Sequence, residues 1–192
     1  MSLSASGKSR VMSRLSRRLV AAKKAGFKKA EAYRSLRPGS DIIIWMMSKD
    51  ADAIADLKEE TGLILGANAS IVHGFLSTYE MSREVKEPTS SKFFIAYPMS
   101  KSPEWYLKTE EERKRIVAEH VKIAINSEYN DGIASYTTES FGIGDSEFVV
   151  IYELGNIWNW VRVTEQLRHA RARSWITNES PILVGIKGKP GP

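Results

Sequence analysis

The chain has 192 residues, 42% of them hydrophobic and 27% charged, which is enough to bury a core in one domain or two small packed halves. It contains no cysteine, which excludes disulfides, thiolate ligation of iron, iron–sulfur clusters and a cysteine nucleophile. No apolar run approaches the roughly 18 residues of a membrane span, and the expected location is the cytoplasm. The net charge of +5 is unevenly spread: residues 1–40 hold 11 Lys or Arg against Glu31 alone, and the rest of the chain is net acidic.

Residues 1–9, small and polar, are expected to form a disordered leader. Residues 11–25 place Val11, Leu15, Leu19 and Ala22 near helical spacing amid Arg and Lys, with Gly26 as the stop. That segment could contact nucleic acid or an anionic membrane. It lacks the aromatic interleaving of a nucleic-acid surface, so a solvated helix face and no nucleic-acid partner are expected. Residues 30–36 and 41–47 flank Pro38–Gly39 and predict a hairpin. A helix over 50–61, a strand over 69–79 and a connector over 81–91 follow.

Residues 92–98 form the next expected strand, and a helix runs from about 109 to 128, opened by Thr109 and Glu112 as a capping box. Strands over 132–141 and 147–154, a helix over 156–174 and a last strand over 181–186 complete the chain. The pattern starting at Asp41 returns at Glu147, 106 residues later: an acid, an apolar strand, a turn and a helix. Each half therefore reads as a β-α-β-β-α-β, ferredoxin-like unit, with the opening strand of the first half missing. The expected division is a leader over 1–9, an N-terminal half over 10–82, a connector over 83–91, a C-terminal half over 92–187 and a tail over 188–192.

Three histidines are available. His120 lies mid-helix with Ile116, Val117, Ile123 and Ala124 three and four residues away, an apolar face on which a neutral imidazole suits either a hydrogen-bonded core position or an axial ligand to porphyrin iron. His73 and His169 read as structural strand and surface positions. Tyr97 and Lys101, four residues apart at a strand end, put a phenol and an ammonium where carboxylates such as porphyrin propionates could be held, or simply mark a strand end with a solvated lysine. Gly142-Ile143-Gly144 reads as a hairpin turn, since it lacks the third glycine of a nucleotide loop.

Taken in order, Tyr97-Pro98-Met99-Ser100-Lys101, Trp105-Tyr106, Glu111-Glu112-Arg113, His120, Ser140-x-Gly142-x-x-Asp145-x-Glu147-Phe148, Leu167-Arg168 and Pro181-x-x-Val184-Gly185 resemble the chlorite dismutase family. Within it they resemble the coproheme decarboxylases more than the chlorite-splitting enzymes. The match covers residues 83–186, and residues 30–80 match more loosely. The resemblance implies two fused ferredoxin-like halves of an α+β, dimeric α/β-barrel type. It implies heme, as coproheme or heme b, bound through His120, which stands 15 residues after Trp105. Tyr97 becomes the redox-active candidate, and Arg83, Met99, Lys101, Ser135 and Arg168 become cofactor contacts. Hydrogen peroxide is the implied oxidant, and a homo-oligomer, a pentamer before a dimer, the implied assembly. Where chlorite dismutases carry a distal arginine this chain has Ser135, or Tyr136 if the register slips by one. Neither can clamp chlorite, and the distal glutamine of many coproheme decarboxylases is absent too. The loop between Lys101 and Trp105 is also shorter than is usual in the decarboxylases. The expected function is a peroxide-dependent coproheme decarboxylase or heme-dependent peroxidase, with a non-catalytic heme carrier as the alternative.

Overall fold

The structure, a computed structural model, describes residues 5–80, 88 and 90–188. The chain divides into two compact units, residues 1–74 with 185–192, and residues 75–184. Each has the α+β pattern of a ferredoxin-like half.

The first unit opens with helix α1 (Ala5–Lys24), so residues 5–9 are helical where a disordered leader was expected. No strand precedes α1 among the described residues. Leu15, Leu19 and Ala22 recur at helical spacing and are 0–4% exposed against Leu57, which leaves the basic residues on the outer face. Part of that charge is locally matched: Arg18 pairs with Glu60, and Lys23 lies 2.6 Å from Glu31. The helix ends where read, since Gly26 adopts φ 108°, a conformation that side chains with a Cβ resist. The hairpin β1 (Lys29–Ser35) and β2 (Ile42–Met47) pairs in register from Lys29↔Met47 to Arg34↔Ile42. Helix α2 (Ala51–Leu65) is capped by Asp50, whose carboxylate accepts from the amides of Asp52 and Ala53.

Residues 69–79 do not form the expected strand. Only Thr78 pairs, in an isolated bridge to Glu139, and Ile71, Val72 and Leu76 are more than half exposed. An apolar run makes a strand only where it also has a face to bury, and away from the Thr78 bridge these side chains stay in solvent. His73 is exposed there rather than in a strand. The connector expected over 81–91 lies almost wholly outside the described residues, as does Arg83.

The second unit is complete. It runs β3 (Phe93–Lys101), α3 (Pro103–Tyr106), α4 (Glu110–Asn126), β4 (Ala134–Glu139), β5 (Phe148–Leu154), α5 (Ile157–Leu167), β6 (Ile176–Asn178) and the start of β7 (Leu183–Ile186). β5 is central, antiparallel to β3 on one side and β4 on the other. The capping box at α4 forms as read: Thr109 Oγ1 accepts from the Glu112 amide, and Glu112 accepts from the Thr109 amide at 2.9 Å. Helix α3 and strand β6 escaped the sequence reading because four and three residues are too short for a period to show. The helix expected over 156–174 stops at Leu167 and resumes as a 3₁₀ segment over Arg171–Trp175. No helix of the described residues is long and apolar enough to cross a membrane.

A strand's two faces carry alternate residues, and in this unit the faces differ. Phe94, Ala96, Tyr136, Val149, Ile151 and Glu153 are buried on one, where Glu153 accepts a 2.9 Å hydrogen bond from the Tyr136 hydroxyl. The other face carries Phe93, Ile95, Tyr97, Tyr152 and Leu154, packed with Ile123 and Ala124 of α4 and Trp160, Val163 and Leu167 of α5.

Candidate functional site

His120 projects from the helix that covers this second face, one turn before Ile123 and Ala124, which pack in the same cluster as Tyr97. Its Nδ1 is buried with no hydrogen-bond partner in the structure. Burial holds the imidazole below the usual histidine range, and the Lys101 and Arg173 cations push it the same way against the opposing pull of Glu179. The side chain is therefore neutral near pH 7, the form that donates a lone pair to a metal. An unpartnered buried nitrogen is costly, so a ligand at this imidazole would offset a real penalty.

Around it stands a charged cluster. Arg173 lies 2.5 Å from Glu179, and the exposed guanidinium of Arg168 reaches the same carboxylate at 3.6 Å. Lys101, at the end of β3, places its Nζ 4.6 Å above the Trp105 ring and donates to the Ala172 carbonyl at 3.4 Å. Trp105 in turn packs against Trp175 with ring centroids 5.6 Å apart. The backbone amide of Lys101 donates to Glu147 at 2.7 Å, and Tyr106 donates to the same carboxylate at 2.6 Å, which ties α3 to the strand end.

Tyr97 sits half-buried on the His120 side of β3, and burial pushes its phenol well above the ordinary range. The charges of Glu179 and Arg173 act on it as they do on His120, which places phenol and imidazole in one electrostatic environment. Met99 follows two residues on, on the same face. The pleat puts Ser135 and Tyr136, the two positions weighed for the distal group, on opposite faces. Ser135 pairs across from Tyr152 and shares its face, whereas Tyr136 is buried on the opposite one against Glu153.

The structure thus brings His120, Tyr97, Met99, Lys101 and Ser135 to one side of the sheet in the second unit. Arg168 is at the rim on Glu179, and Arg83 lies outside the described residues. His169 is exposed, as read. Four residues went unread: Tyr152, Trp160, Arg173 and Glu179. The signal for Tyr152 was its place two residues from Leu154 in an alternating strand. Arg173 and Glu179 were hidden because β6, which turns the chain back, is only three residues long. A surface cavity of about 350 Å³ lies alongside, lined by Lys108, Glu112, Arg115, Ile116, Arg171 and Trp175, and one of about 210 Å³ is lined by Thr78 to Glu80, Thr137 and Glu139.

No group of three or more His, Asp or Glu able to hold a bare metal ion occurs among the described residues. A single neutral histidine on an apolar face fits instead an iron whose other ligands come with a macrocycle. His120 would hold that group. Lys101 and Arg168, and Arg173 where Glu179 leaves it charge to spare, would supply cations for its carboxylates.

An α+β protein of two ferredoxin-like halves, with one histidine on the helix that packs over a half-buried tyrosine, is the class that fold and site define. The sequence matches the family model for chlorite dismutase over residues 8–188, and the chain belongs to the chlorite dismutase family. It is 26% identical to a coproheme decarboxylase of Mycolicibacterium smegmatis over 162 residues, which is 78% of this chain and 68% of that protein. A crystal structure of a chlorite dismutase candidate, TA0507, superposes with a TM-score of 0.88 at 38% identity, covering 100% of this chain and 91% of the other. A heme-binding protein from Thermus thermophilus shares the fold at 16% identity and a TM-score of 0.79, over 93% of this chain and 79% of that one.

Proposed function

We propose that the protein is a heme-dependent oxidoreductase that uses peroxide to decarboxylate coproheme, with His120 as the axial ligand and Tyr97 as the redox-active residue. One observation carries the reading: a neutral, unpartnered imidazole and a half-buried phenol lie in one charged environment on the same side of the sheet. The family and the coproheme decarboxylase relative support it. Bound through His120, the iron porphyrin would supply the oxidising power of peroxide.

The chain's own residues account for the rest. Each propionate that becomes a vinyl group loses carbon dioxide, two electrons and a proton, and one peroxide with two protons takes up those electrons as two waters. Tyr97, neutral at every physiological pH, can give up a hydrogen atom and recover one from the propionate chain. Lys101 and Arg168 would hold the carboxylates in place by charge. Ser135, where a guanidinium would be needed, cannot hold chlorite, so chlorite splitting is not its reaction.

The same reading includes a homo-oligomer, with Val117, Val121 and Ile125 forming an exposed aliphatic stripe along α4 that a second copy would cover. The test of the chemistry is Tyr97→Phe loaded with coproheme. Turnover should fall by about a hundredfold or more, the scale on which a positioned proton-transfer group acts, with porphyrin affinity retained. Turnover at the wild-type rate would reject the tyrosyl role and leave a porphyrin carrier.

A further inference from the structure

The family's usual distal groups are missing from this chain, yet the face they would occupy is not bare. Tyr152 of β5 stands directly across from Ser135 of β4 and beside Tyr97 of β3. The Tyr97 and Tyr152 rings stack at 6.2 Å with planes 26° apart, and the two phenols are hydrogen-bonded. Tyr97 donates, since the bond favours its neutral form, and the Tyr152 hydroxyl is bonded in turn to that of Ser135, a pair in which either oxygen can donate. The Tyr152 ring is fixed from behind by Trp160 of α5, at 4.0 Å. Tyr97 and Tyr152 are half-buried and Ser135 is exposed, so three hydroxyls run in a row from the packed layer to water. Arg173 and Glu179 are the charged groups acting on this row.

We propose that Tyr152 is the positioning residue of Tyr97, taking the Tyr97 proton when Tyr97 is oxidised and releasing its own proton to water at the exposed Ser135 end. The inference rests on the reading of Tyr97 given above. Its balance is simple. The peroxide-derived oxidant removes one electron from Tyr97 and is reduced by one electron. The Tyr97 O–H bond breaks, an O–H bond forms on Tyr152, and the original Tyr152 O–H bond breaks to give a solvated proton. Tyr97 is left as a neutral phenoxyl, and Tyr152 and Ser135 end as they began. A buried phenol that loses an electron while keeping its proton would be a cation in a poorly solvated layer, which is costly. The hydroxyl row supplies the exit that avoids it.

Two measurements on Tyr152→Phe, which keeps the ring packed on Trp160, test the pair. In the porphyrin-free protein, exchange of the Tyr97 hydroxyl proton is read by NMR from the isotope shift at its Cζ. We expect it to quicken at least tenfold on loss of its acceptor, and an unchanged rate would overturn the hydrogen bond. In coproheme-loaded protein mixed with peroxide, freeze-quench EPR follows the Tyr97 radical in H₂O and D₂O. Wild type should show a solvent isotope effect on its formation and an exchangeable deuteron coupled to the radical. Tyr152→Phe should lose both and form the radical at least tenfold more slowly, whereas a merely structural residue would leave isotope effect and deuteron in place. Turnover lost in Tyr97→Phe but unaltered in Tyr152→Phe, with its isotope effect intact, overturns the relay alone. Turnover retained in Tyr97→Phe overturns the reading of the site and the relay with it.

Discussion

The two units share a pattern and diverge in what they place between helices and strands. Positions 106 apart make the comparison: where the second unit has His120, Ser135, Tyr152 and Trp160, the first has Arg14, Lys29, Met46 and Ile54. The first unit's layer is built on apolar side chains, with Leu15, Ala22 and Leu57 fully buried. The second keeps an unpartnered imidazole and two half-buried phenols in the same layer. Repetition of a fold therefore supplies the frame, and the choice of side chains on one face decides which copy offers a candidate site. Polar groups in a packed layer lower stability, and an unpartnered imidazole on the same layer as two phenols is what a functional site looks like.

That contrast can be broken by mutation, starting with its most stable part. Leu57→Ala opens a cavity beside Leu15 and Leu19 and should cost about 2–5 kcal/mol, read by denaturant unfolding, while the porphyrin affinity of the folded protein stays as in wild type. A matching loss of affinity would mean that the first unit is more than frame. Gly185→Ala is next. A Cβ there would stand 2.7 Å from Cβ of Tyr33 and 3.2 Å from Cδ1 of Ile43, so overpacking of about 1–3 kcal/mol is expected, again without effect on the site. Thr109→Ala removes the capping box of α4 and should cost about 1 kcal/mol in the same assay.

The smallest effect is electrostatic and belongs to the second unit. Lys101→Met removes a cation that helps hold His120 below the usual histidine range, so its imidazole should protonate at a higher pH, which ¹H–¹⁵N NMR reads directly. The sign carries through to stability. The unfolded chain takes up the histidine proton first as pH falls, so wild-type stability drops below the ordinary histidine range, and the variant should drop less. An imidazole titrating as in wild type would place Lys101 outside the site.

Much of this was legible because it depends on local chemistry. The Thr109 cap, the Pro38–Gly39 hairpin, the Gly26 stop and the helical face around His120 each follow from a few neighbouring residues. The repeat revealed the paired halves because an acid, a strand, a turn and a helix recur in order. Residues 69–79 misled because Ile71, Val72 and Leu76 read as a strand, and sequence does not say whether an edge is free to pair. Tyr152 was passed over for a related reason. It matters only through the register that sets it opposite Ser135 and beside Tyr97, and register is a property of three strands. Arg173 and Glu179 meet across a turn that carries no periodic signal.

The central claim is that His120 is an iron ligand. A titration of purified protein with coproheme and with heme b, followed at the Soret band for wild type and His120→Ala, tests it most directly. Tight binding by wild type, with binding lost or the Soret band altered in the variant, is the predicted result. No binding of either porphyrin by wild type, or identical binding and spectra in both proteins, would contradict it.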